Sequence, residues 1–341
     1  MGKKITVMGA GGIGGSVAGR LALAGEDVTI IDHWAAHIDA IKEGGLKVSG
    51  AQGDDIVHPK ALHVGEAWAV REIDILMLGV KSYDNEWSLA LLKPYLNPGA
   101  VVISMQNGVN EDRLAQLLGY GRVIGAVVLL AGQTIEPGHV ELISPEPTLQ
   151  MGELHGRITP RLLEIQRIIG QAVNVPLTTN IWGGLWSKLI MNTMSNPICG
   201  SLNIRARDVR IVPEYRRASL KVAAEACRVG IALGVEIDPV SGIEVERFVQ
   251  AEEGMGREEL ETEWGEVGRR MGDFWSSLTR DVHRRRKTEV DSFSGYIVEK
   301  GEEVGLPTPA NKIVHDLVRE IEAGCVEPGP HNLLRLMTLD D

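Results

Sequence analysis

The sequence predicts an α/β protein in two parts, a parallel-sheet domain followed by an all-helical domain. Three observations carry this. A short apolar run, Lys4 to Met8, leads directly into Gly9-Ala10-Gly11-Gly12-Ile13-Gly14. Strand patterns then alternate with helix patterns as far as about residue 178, the rhythm of a parallel sheet with crossover helices. Beyond residue 180 the pattern is almost wholly helical. A chain of 341 residues suits two domains better than one, and 44% hydrophobic residues supply a sizeable core. The bounds expected are 1–178 for the sheet domain, 179–323 for the helical domain and 324–341 for a loosely attached extension.

The first element is the most specific part of the sheet domain. A GxGxxG alone is weak evidence. Here it sits between a strand and the small-residue helix pattern Gly15 to Leu23, and a second strand, Asp27 to Ile31, ends at Asp32. That context is the dinucleotide fingerprint of a Rossmann-type domain. Gly9 permits the tight turn, Gly11 and Gly12-Ile13 let the backbone approach a pyrophosphate, and Gly14 allows close helix–sheet packing. The helix N-terminus meets the negative charge. Asp32 is placed to accept the adenosine ribose hydroxyls. A 2′-phosphate would need a cation there, yet 33–41 holds no Arg or Lys. His33 and His37 serve only if protonated, and Lys42 is a helix-length away. NAD(H) is therefore favoured over NADP(H).

Leu46 to Val48 and Val57 to His63 read as short additional strands. Ile73 to Val80 is a buried parallel strand closed by Lys81, Trp87 to Tyr95 is helical, and Ala100 to Met105 is a strand ending in Gln106-Asn107-Gly108. Ligands of open α/β sheets gather at the carboxyl ends of strands, so Lys81 and Asn107 are placed to face a cofactor. A helix at 111–118 and a strand at 123–131 come next. Gln133 to Gln150 reads as a hairpin, Pro160 to Val173 as an amphipathic helix and Val175 to Thr179 as a strand.

The helical domain opens on Trp182 to Gly200. As one helix, this stretch puts Lys188, Asn192 and Asn196 at i, i+4 and i+8 on a single face. Leu185, Trp186, Leu189, Ile190, Met191, Met194 and Ile198 make the remainder apolar. A buried lysine is costly unless paired or used, and its pKa falls toward the range of proton transfer. Pro213 to Leu233 is a long helix. Val235 to Ser276 is acidic and helical, a solvated face. Ser276-Ser277-Leu278 follows, then Asp281 to Lys300 with its run Arg284-Arg285-Arg286-Lys287, and Pro309 to Ala323 is a last helix.

A formal charge of −11 without a basic stripe argues against nucleic acid and anionic membranes as partners. No apolar run approaches a membrane span. Cys199, Cys227 and Cys325 are dispersed, which fits a cytoplasmic protein and suggests neither disulfides nor a metal site. The opening Met1-Gly2-Lys3-Lys4-Ile5-Thr6 matches a loose myristoylation pattern, discounted because it runs straight into a buried strand. A helical second domain commonly supports a homodimer.

Together, GAGGIG at 9–14, VKSYD at 80–84, QNG at 106–108, WSKLIMNTMSNP at 186–197, SSL at 276–278, RKTEVD at 286–291 and GLPTP at 305–309 resemble the ketopantoate reductase (2-dehydropantoate 2-reductase) family over residues 4–322. The resemblance implies an NAD(P)H-dependent reduction of a small 2-oxo acid to a 2-hydroxy acid. It makes Lys188 the proton donor and Glu289 a carboxylate that binds substrate and influences the lysine. Asn192, Asn196 and Ser277 would bind substrate, with Ser277 at its carboxylate. Asn107 would lie between nicotinamide and substrate, and Lys81 at the cofactor. The chain departs from the family at Asp32-His33, where a basic residue is common, at Asp84, often Gln, and at Ser294, commonly Asn.

Three other readings use the same features. One is an NAD-linked D-2-hydroxyacid dehydrogenase of the same family. Another is a β-hydroxyacid dehydrogenase of the 6-phosphogluconate type, which also carries a lysine and an asparagine four apart; it needs a glycine-rich substrate loop that 142–145 and 178–184 do not supply. The third, a non-catalytic NAD(P) sensor, leaves Lys188, Asn192, Ser277 and Glu289 as coincidence.

Overall fold

A computed structural model describes residues 2–337. Among these the chain forms two compact units that divide between Ile181 and Trp182. Among the described residues no helix is long and apolar enough to cross a membrane.

In the first unit the order is β1 (Lys4–Met8), α1 (Gly12–Leu23), β2 (Asp27–Asp32), α2 (Ala35–Gly44), β3 (Leu46–Gly50), β4 (Asp55–Val57), β5 (Lys60–His63), β6 (Ile73–Leu78), α3 (Asn85–Leu92), β7 (Leu96–Ser104), α4 (Glu111–Leu118), β8 (Val123–Leu129), β9 (Gly132–Glu136), β10 (His139–Leu142), β11 (Thr148–Glu153) and α5 (Pro160–Ile169). The main sheet has seven strands among the described residues, ordered β11-β8-β7-β6-β1-β2-β5. All its pairs are parallel except β11 with β8. Strand residues such as Ile5, Val7, Ile30, Ile75, Met77, Ile103 and Ile124 are buried, as continuous apolar runs in a sheet covered on both faces require.

The sequence did not announce a second sheet, ordered β4-β3-β10-β9, which packs on α1. The small residues of α1 make this possible. A Cβ added at Gly19 would lie 2.3 Å from Val48 Cγ2, and one at Gly15 would lie 2.9 Å from Val140 Cγ1. The run expected at 57–63 is two pieces in two sheets, because Pro59 has no N–H to donate to a continuous ladder. The strand expected at 175–179 reduces to isolated bridges at Asn174 and Leu177.

The helical unit comprises α6 (Ile181–Thr193), α7 (Asn196–Leu202), α8 (Asp208–Ile211), α9 (Pro213–Ala232), α10 (Val245–Glu252), α11 (Arg257–Arg269), α12 (Ser277–His283), α13 (Ser294–Val304), α14 (Pro309–Glu322) and α15 (Leu333–Met337). The single helix expected over 182–200 is therefore two. Pro197 lacks an N–H and its ring excludes the helical position of the carbonyl four residues back, so α6 stops at Thr193. The acidic stretch 235–276 is less helical than expected: Gly254-Met255-Gly256 separates α10 from α11, with Gly254 and Gly256 both at positive φ.

The extension is not loose over its described part. Asn332 Nδ2 donates to Ser201 O and Glu327 O, both at 3.0 Å, the Arg335 guanidinium grips the Glu320 carboxylate, and Leu336 is buried. Residues 338–341 of the expected extension lie outside the described residues.

The contact of α1 with the small sheet gives a direct test. Gly19→Ala is expected to destabilise the protein by about 1–3 kcal/mol through overpacking. Val48→Ala in the same chain should recover much of that loss, a non-additivity read from urea or thermal unfolding of the two single variants and the double.

Candidate active site

Past the carboxyl ends of β1 and β6, Gly9 and Gly79 interlock with Gly14 in the first turn of α1. Gly9 has φ +97°, open to glycine and strained for other residues, and a Cβ there would lie 2.5 Å from Val80 N. A Cβ on Gly14 would lie 2.0 Å from Gly9 O, and one on Gly79 would lie 2.8 Å from the same oxygen. The sequence singled out no role for Gly79, which it placed inside the strand 73–80. Gly12 faces the small sheet, with Gln133 N 2.3 Å from an added Cβ. Gly11 is different. A Cβ there meets no protein atom within 4 Å, and its φ of −65° suits any residue. The glycine at 11 thus leaves open the space that a pyrophosphate over the N-terminus of α1 would take, where Gly12, Ile13 and Gly14 form the first turn. These residues fit a dinucleotide.

Asp32 ends β2 and is nearly buried. Its Oδ2 accepts from Ala10 N at 2.6 Å and its Oδ1 from Trp34 N at 2.8 Å. The carboxylate therefore pins the glycine loop, and two oxygens with four lone-pair sites retain capacity for hydroxyl donors. His37 is buried against Trp34, its ring stacked at 5.2 Å. Gly138 N donates to Nδ1 at 2.9 Å, which leaves the proton of the neutral ring on Nε2, 3.0 Å from Ala10 O. Burial lowers the His37 pKa, so the ring is neutral. Lys42 is held by both oxygens of Glu66 at 2.6 and 2.9 Å.

Lys81 and Asn107 lie just past the ends of β6 and β7 and are partly buried. A chain of buried amides joins these two loops. Gln106 Nε2 donates to Val80 O and to Asn85 Oδ1, both at 2.7 Å, Asn85 Nδ2 donates to Asn110 Oδ1 at 3.2 Å, and Asn110 Nδ2 donates to Asn107 O at 3.0 Å. The backbone at 80 and at 107 is thus set by one network. Asp84 is engaged with Trp87 Nε1 at 2.7 Å.

In the helical unit Lys188 and Asn192 sit on α6, and Asn196 begins α7. The break does not separate them: Asn196 Nδ2 donates to Asn192 Oδ1 at 3.4 Å. Leu189, Ile190, Met194 and Ile198 are fully buried, and Asn192 is 6% exposed. Lys188 retains some exposed surface, yet the removal of water around its ammonium, with the charge of Arg210 added, lowers its pKa to about 8. Trp186 cannot line a substrate pocket. It is 2% exposed and packed between α9, where a Cβ on Gly230 would touch its ring at 2.8 Å, and Tyr296 of α13.

Glu289 is 6% exposed on the segment after α12. The backbone is fixed on both sides of it, with Thr288 N on Glu322 Oε1 at 2.6 Å and Val290 N on Thr288 Oγ1 at 3.2 Å. Thr193 Oγ1 contacts Ser294 Oγ at 2.9 Å and Asn311 Oδ1 at 3.2 Å, which ties the end of α6 to the chain just beyond Glu289. Ser294, noted as a departure, is half of that tie. Ser277 opens α12 behind the N-cap Ser276, whose Oγ accepts from Thr279 N at 3.1 Å. α12 packs on α7 so closely that a Cβ on Gly200 would lie 2.2 Å from Leu278 Cδ2. Among the described residues, Lys188, Asn192, Asn196, Ser277 and Glu289 all lie on elements of one helical unit, and Gly9 to Gly14, Asp32, Lys81 and Asn107 at one end of one sheet.

A glycine-loop sheet unit followed by a helical unit with a lysine–asparagine pair is the plan of a two-part nicotinamide-dependent oxidoreductase. The sequence pattern described as Ketopantoate reductase PanE/ApbA matches residues 5–156, and that of its C-terminal domain matches residues 180–322. A PanE/ApbA family ketopantoate reductase from Ralstonia eutropha JMP134 is 30% identical with a TM-score of 0.79, over 94% of this chain and 99% of that one. The 2-dehydropantoate 2-reductase of Pyrococcus abyssi is 28% identical over 94% of this chain and 98% of its own. D-mandelate dehydrogenase in a ternary structure with NADH and anilino(oxo)acetate shares the fold, with a TM-score of 0.82 at 20% identity. This chain belongs to the PanE/ApbA ketopantoate reductase family.

The glycines that serve packing and the one that leaves room for a ligand are separable. Gly11→Ala is expected to leave the melting temperature unchanged while weakening binding of the reduced nicotinamide dinucleotide tenfold or more, roughly 1.4 kcal/mol. Fluorescence titration of NADH beside a thermal melt distinguishes this from a folding defect.

Proposed function

We propose that this protein reduces a small 2-oxo acid to the 2-hydroxy acid, with ketopantoate the first substrate to test, and that Lys188 is the general acid. The observation that carries the reading is a lysine whose pKa is brought to about 8 on the same short face as the Asn192–Asn196 pair. A reduced nicotinamide held by the Gly9–Gly14 loop, Asp32, Lys81 and Asn107 would supply the hydride for the carbonyl carbon. Lys188 gives its Nζ proton to the carbonyl oxygen, so the C=O becomes CH–OH and the lysine is left neutral until it is reprotonated. Asn192 and Asn196 orient the substrate from a rigid helix pair, and Ser277 donates to its carboxylate. Glu289 binds substrate and influences the lysine. Lys81 and Asn107 hold the nicotinamide end of the cofactor, Asn107 also reaching the substrate.

NAD(H) is the proposed cofactor in preference to NADP(H). Asp32 stands where a 2′-phosphate would bring negative charge. Of the basic groups nearby, His37 is neutral and buried and Lys42 is held by Glu66, while the exposed His33 ring lies against the Asp32 carboxylate itself, Nδ1 3.6 Å from Oδ1. Assembly as a homodimer and a cytoplasmic setting belong to the same proposal. The first rests on the helical second unit and the second on three cysteines without a pairing pattern.

The acid must be protonated for reduction, so kcat/KM for reduction is expected to be full below pH 8 and to fall about tenfold per unit above it. Oxidation of the 2-hydroxy acid needs the neutral amine and should rise through the same range. Lys188→Ala should abolish both while NADH still binds. Full turnover by Lys188→Ala, or no turnover with any 2-oxo acid in a panel of ketopantoate, branched and aromatic 2-oxo acids and glyoxylate, would sink the reading.

The cofactor proposal has its own measurement. The ratio of kcat/KM for NADH over NADPH is expected to exceed one in wild type and to fall on Asp32→Ala. A preference for NADPH of tenfold, about 1.4 kcal/mol, would reverse the assignment of Asp32.

A further inference from the structure

We propose that His315 is a positioning residue for Glu289: bridging Asp291 and Asp316 with its two ring nitrogens, it acts with Glu322 to clamp the segment that carries Glu289 onto one face of α14. The inference rests on the reading of Glu289 as a substrate-binding carboxylate.

Glu289 stands between α12 and α13, outside any helix ladder. Its backbone, at φ −97° and ψ +24°, lies in the sparsely populated bridge region and opens the single 3-10 turn Val290–Ser292. Ser292 N donates to Glu289 O at 2.9 Å and closes that turn, but so short a turn does not fix its own place in the fold.

α14 anchors it on both sides of Glu289. Before it, Thr288 N donates to Glu322 Oε1 at 2.6 Å, and Glu322 Oε2 accepts from Arg319 Nη1 at 2.6 Å. After it, His315 Nε2 lies 3.0 Å from Asp291 Oδ1, with Arg319 Nε 4.0 Å from the same oxygen. His315, Arg319 and Glu322 follow one another at i, i+4 and i+7, so a single face of α14 grips the residue before Glu289 and the residue two beyond it. α13 closes over the ring, for a Cβ on Gly295 would lie 3.1 Å from His315 Cδ2.

The second ring nitrogen sets the charge. Nδ1 lies 3.0 Å from Asp316 Oδ1, so both nitrogens face carboxylate oxygens. A neutral ring donates to one of them and an imidazolium to both. The charged groups around the ring are Asp291 from the turn and Asp316, Arg319 and Lys312 from α14, with Lys312 Nζ held on Asp316 Oδ2 at 2.9 Å. Lys287, ahead of the turn, acts on Asp291 through its charge, and α13 presents only Gly295 to the ring. The hydrogen bond to Asp291 raises the His315 pKa against the removal of water around the ring, and Asp316 raises it further. The bridge is therefore complete below the ordinary histidine range and is lost as pH rises through the raised value. Partly exposed pairs of this kind add little to stability, so the effect falls on where Glu289 sits rather than on folding.

The test titrates ketopantoate, then other 2-oxo acids, into the complex with oxidised NAD, in which no turnover occurs. It compares wild type, His315→Gln, Glu289→Gln and the double variant across a range of pH. His315→Gln keeps one donor and removes the charge. It should weaken 2-oxo acid binding about threefold to fivefold, the worth of one partly exposed ion pair, with thermal melting and NAD affinity unchanged. The difference should be greatest at low pH and vanish as wild-type His315 loses its proton, a titration that the NMR signals of its ring follow directly. In the Glu289→Gln background the same substitution should weaken binding no further. An affinity unmoved by His315→Gln, a difference independent of pH, or an equal loss in the Glu289→Gln background overturns the positioning role alone. No binding of any 2-oxo acid to wild type, or an affinity unmoved by Glu289→Gln, refutes the reading of Glu289 and this proposal with it.

Discussion

Pro197 has no amide hydrogen, and its ring cannot share space with a helical carbonyl four residues earlier. That exclusion ends α6 at Thr193 and starts α7 at Asn196. The break leaves backbone and side-chain groups without helical partners, and other helices of the unit supply them. Ser219 of α9 donates to Met194 O at 2.7 Å. Thr193 meets Ser294 of α13 and Asn311 of α14. Ser195 accepts from Arg210 of α8. Polar groups freed by a kink in a buried helix must be satisfied or they destabilise the fold. Satisfying them here gathers four other helices around the stretch that carries Lys188.

The consequence is rigidity at a point where rigidity is useful. Asn311 also donates to the buried carboxylate of Glu225, which in turn accepts from Ala310 N at 2.7 Å and Asn311 N at 2.9 Å at the start of α14. The network from Thr193 to Glu225 therefore spans α6, α13, α14 and α9 with good hydrogen-bond geometry throughout. Networks of this kind hold side chains in one arrangement more than they add net stability. Lys188 lies five residues before Thr193 and Glu289 five before Ser294, so one hydrogen bond ties the two segments that bear the acid and carboxylate of the proposed site.

What was legible in the sequence followed local rules. The glycine loop, the buried strands and the helical texture after residue 180 each depend on residues close in the chain. So did Lys188 and Asn192, which one helical turn brings together. The asparagine at 196 was placed through the wrong geometry: an unbroken helix was assumed although Pro197 was in view, and the two asparagines nonetheless meet across the break, Asn196 Nδ2 donating to Asn192 Oδ1. The second sheet was not legible because β3 pairs with β10, about ninety residues away, and the signal for it lay in the glycines of α1. His315 was equally hidden. Its place between two carboxylates depends on α14 meeting the turn after Glu289, and nothing at 309–322 distinguishes it from a surface histidine.

The acid at the end of β2 illustrates how a correct position differs from a correct role. An aspartate there is ordinarily read as a ribose ligand. In this chain its carboxylate is first of all an acceptor for Ala10 N and Trp34 N, so it shapes the glycine loop whether or not a ribose is present. His37 completes the same construction from the other side by donating to Ala10 O and accepting from Gly138 N. Protonating His37 would break its bond from Gly138 and place a cation in a dry site, which burial opposes. On the proposed preference for NAD(H), the fold thus withdraws His37 as a source of positive charge, and the exposed His33, 3.6 Å from Asp32 Oδ1, is the histidine left beside the carboxylate.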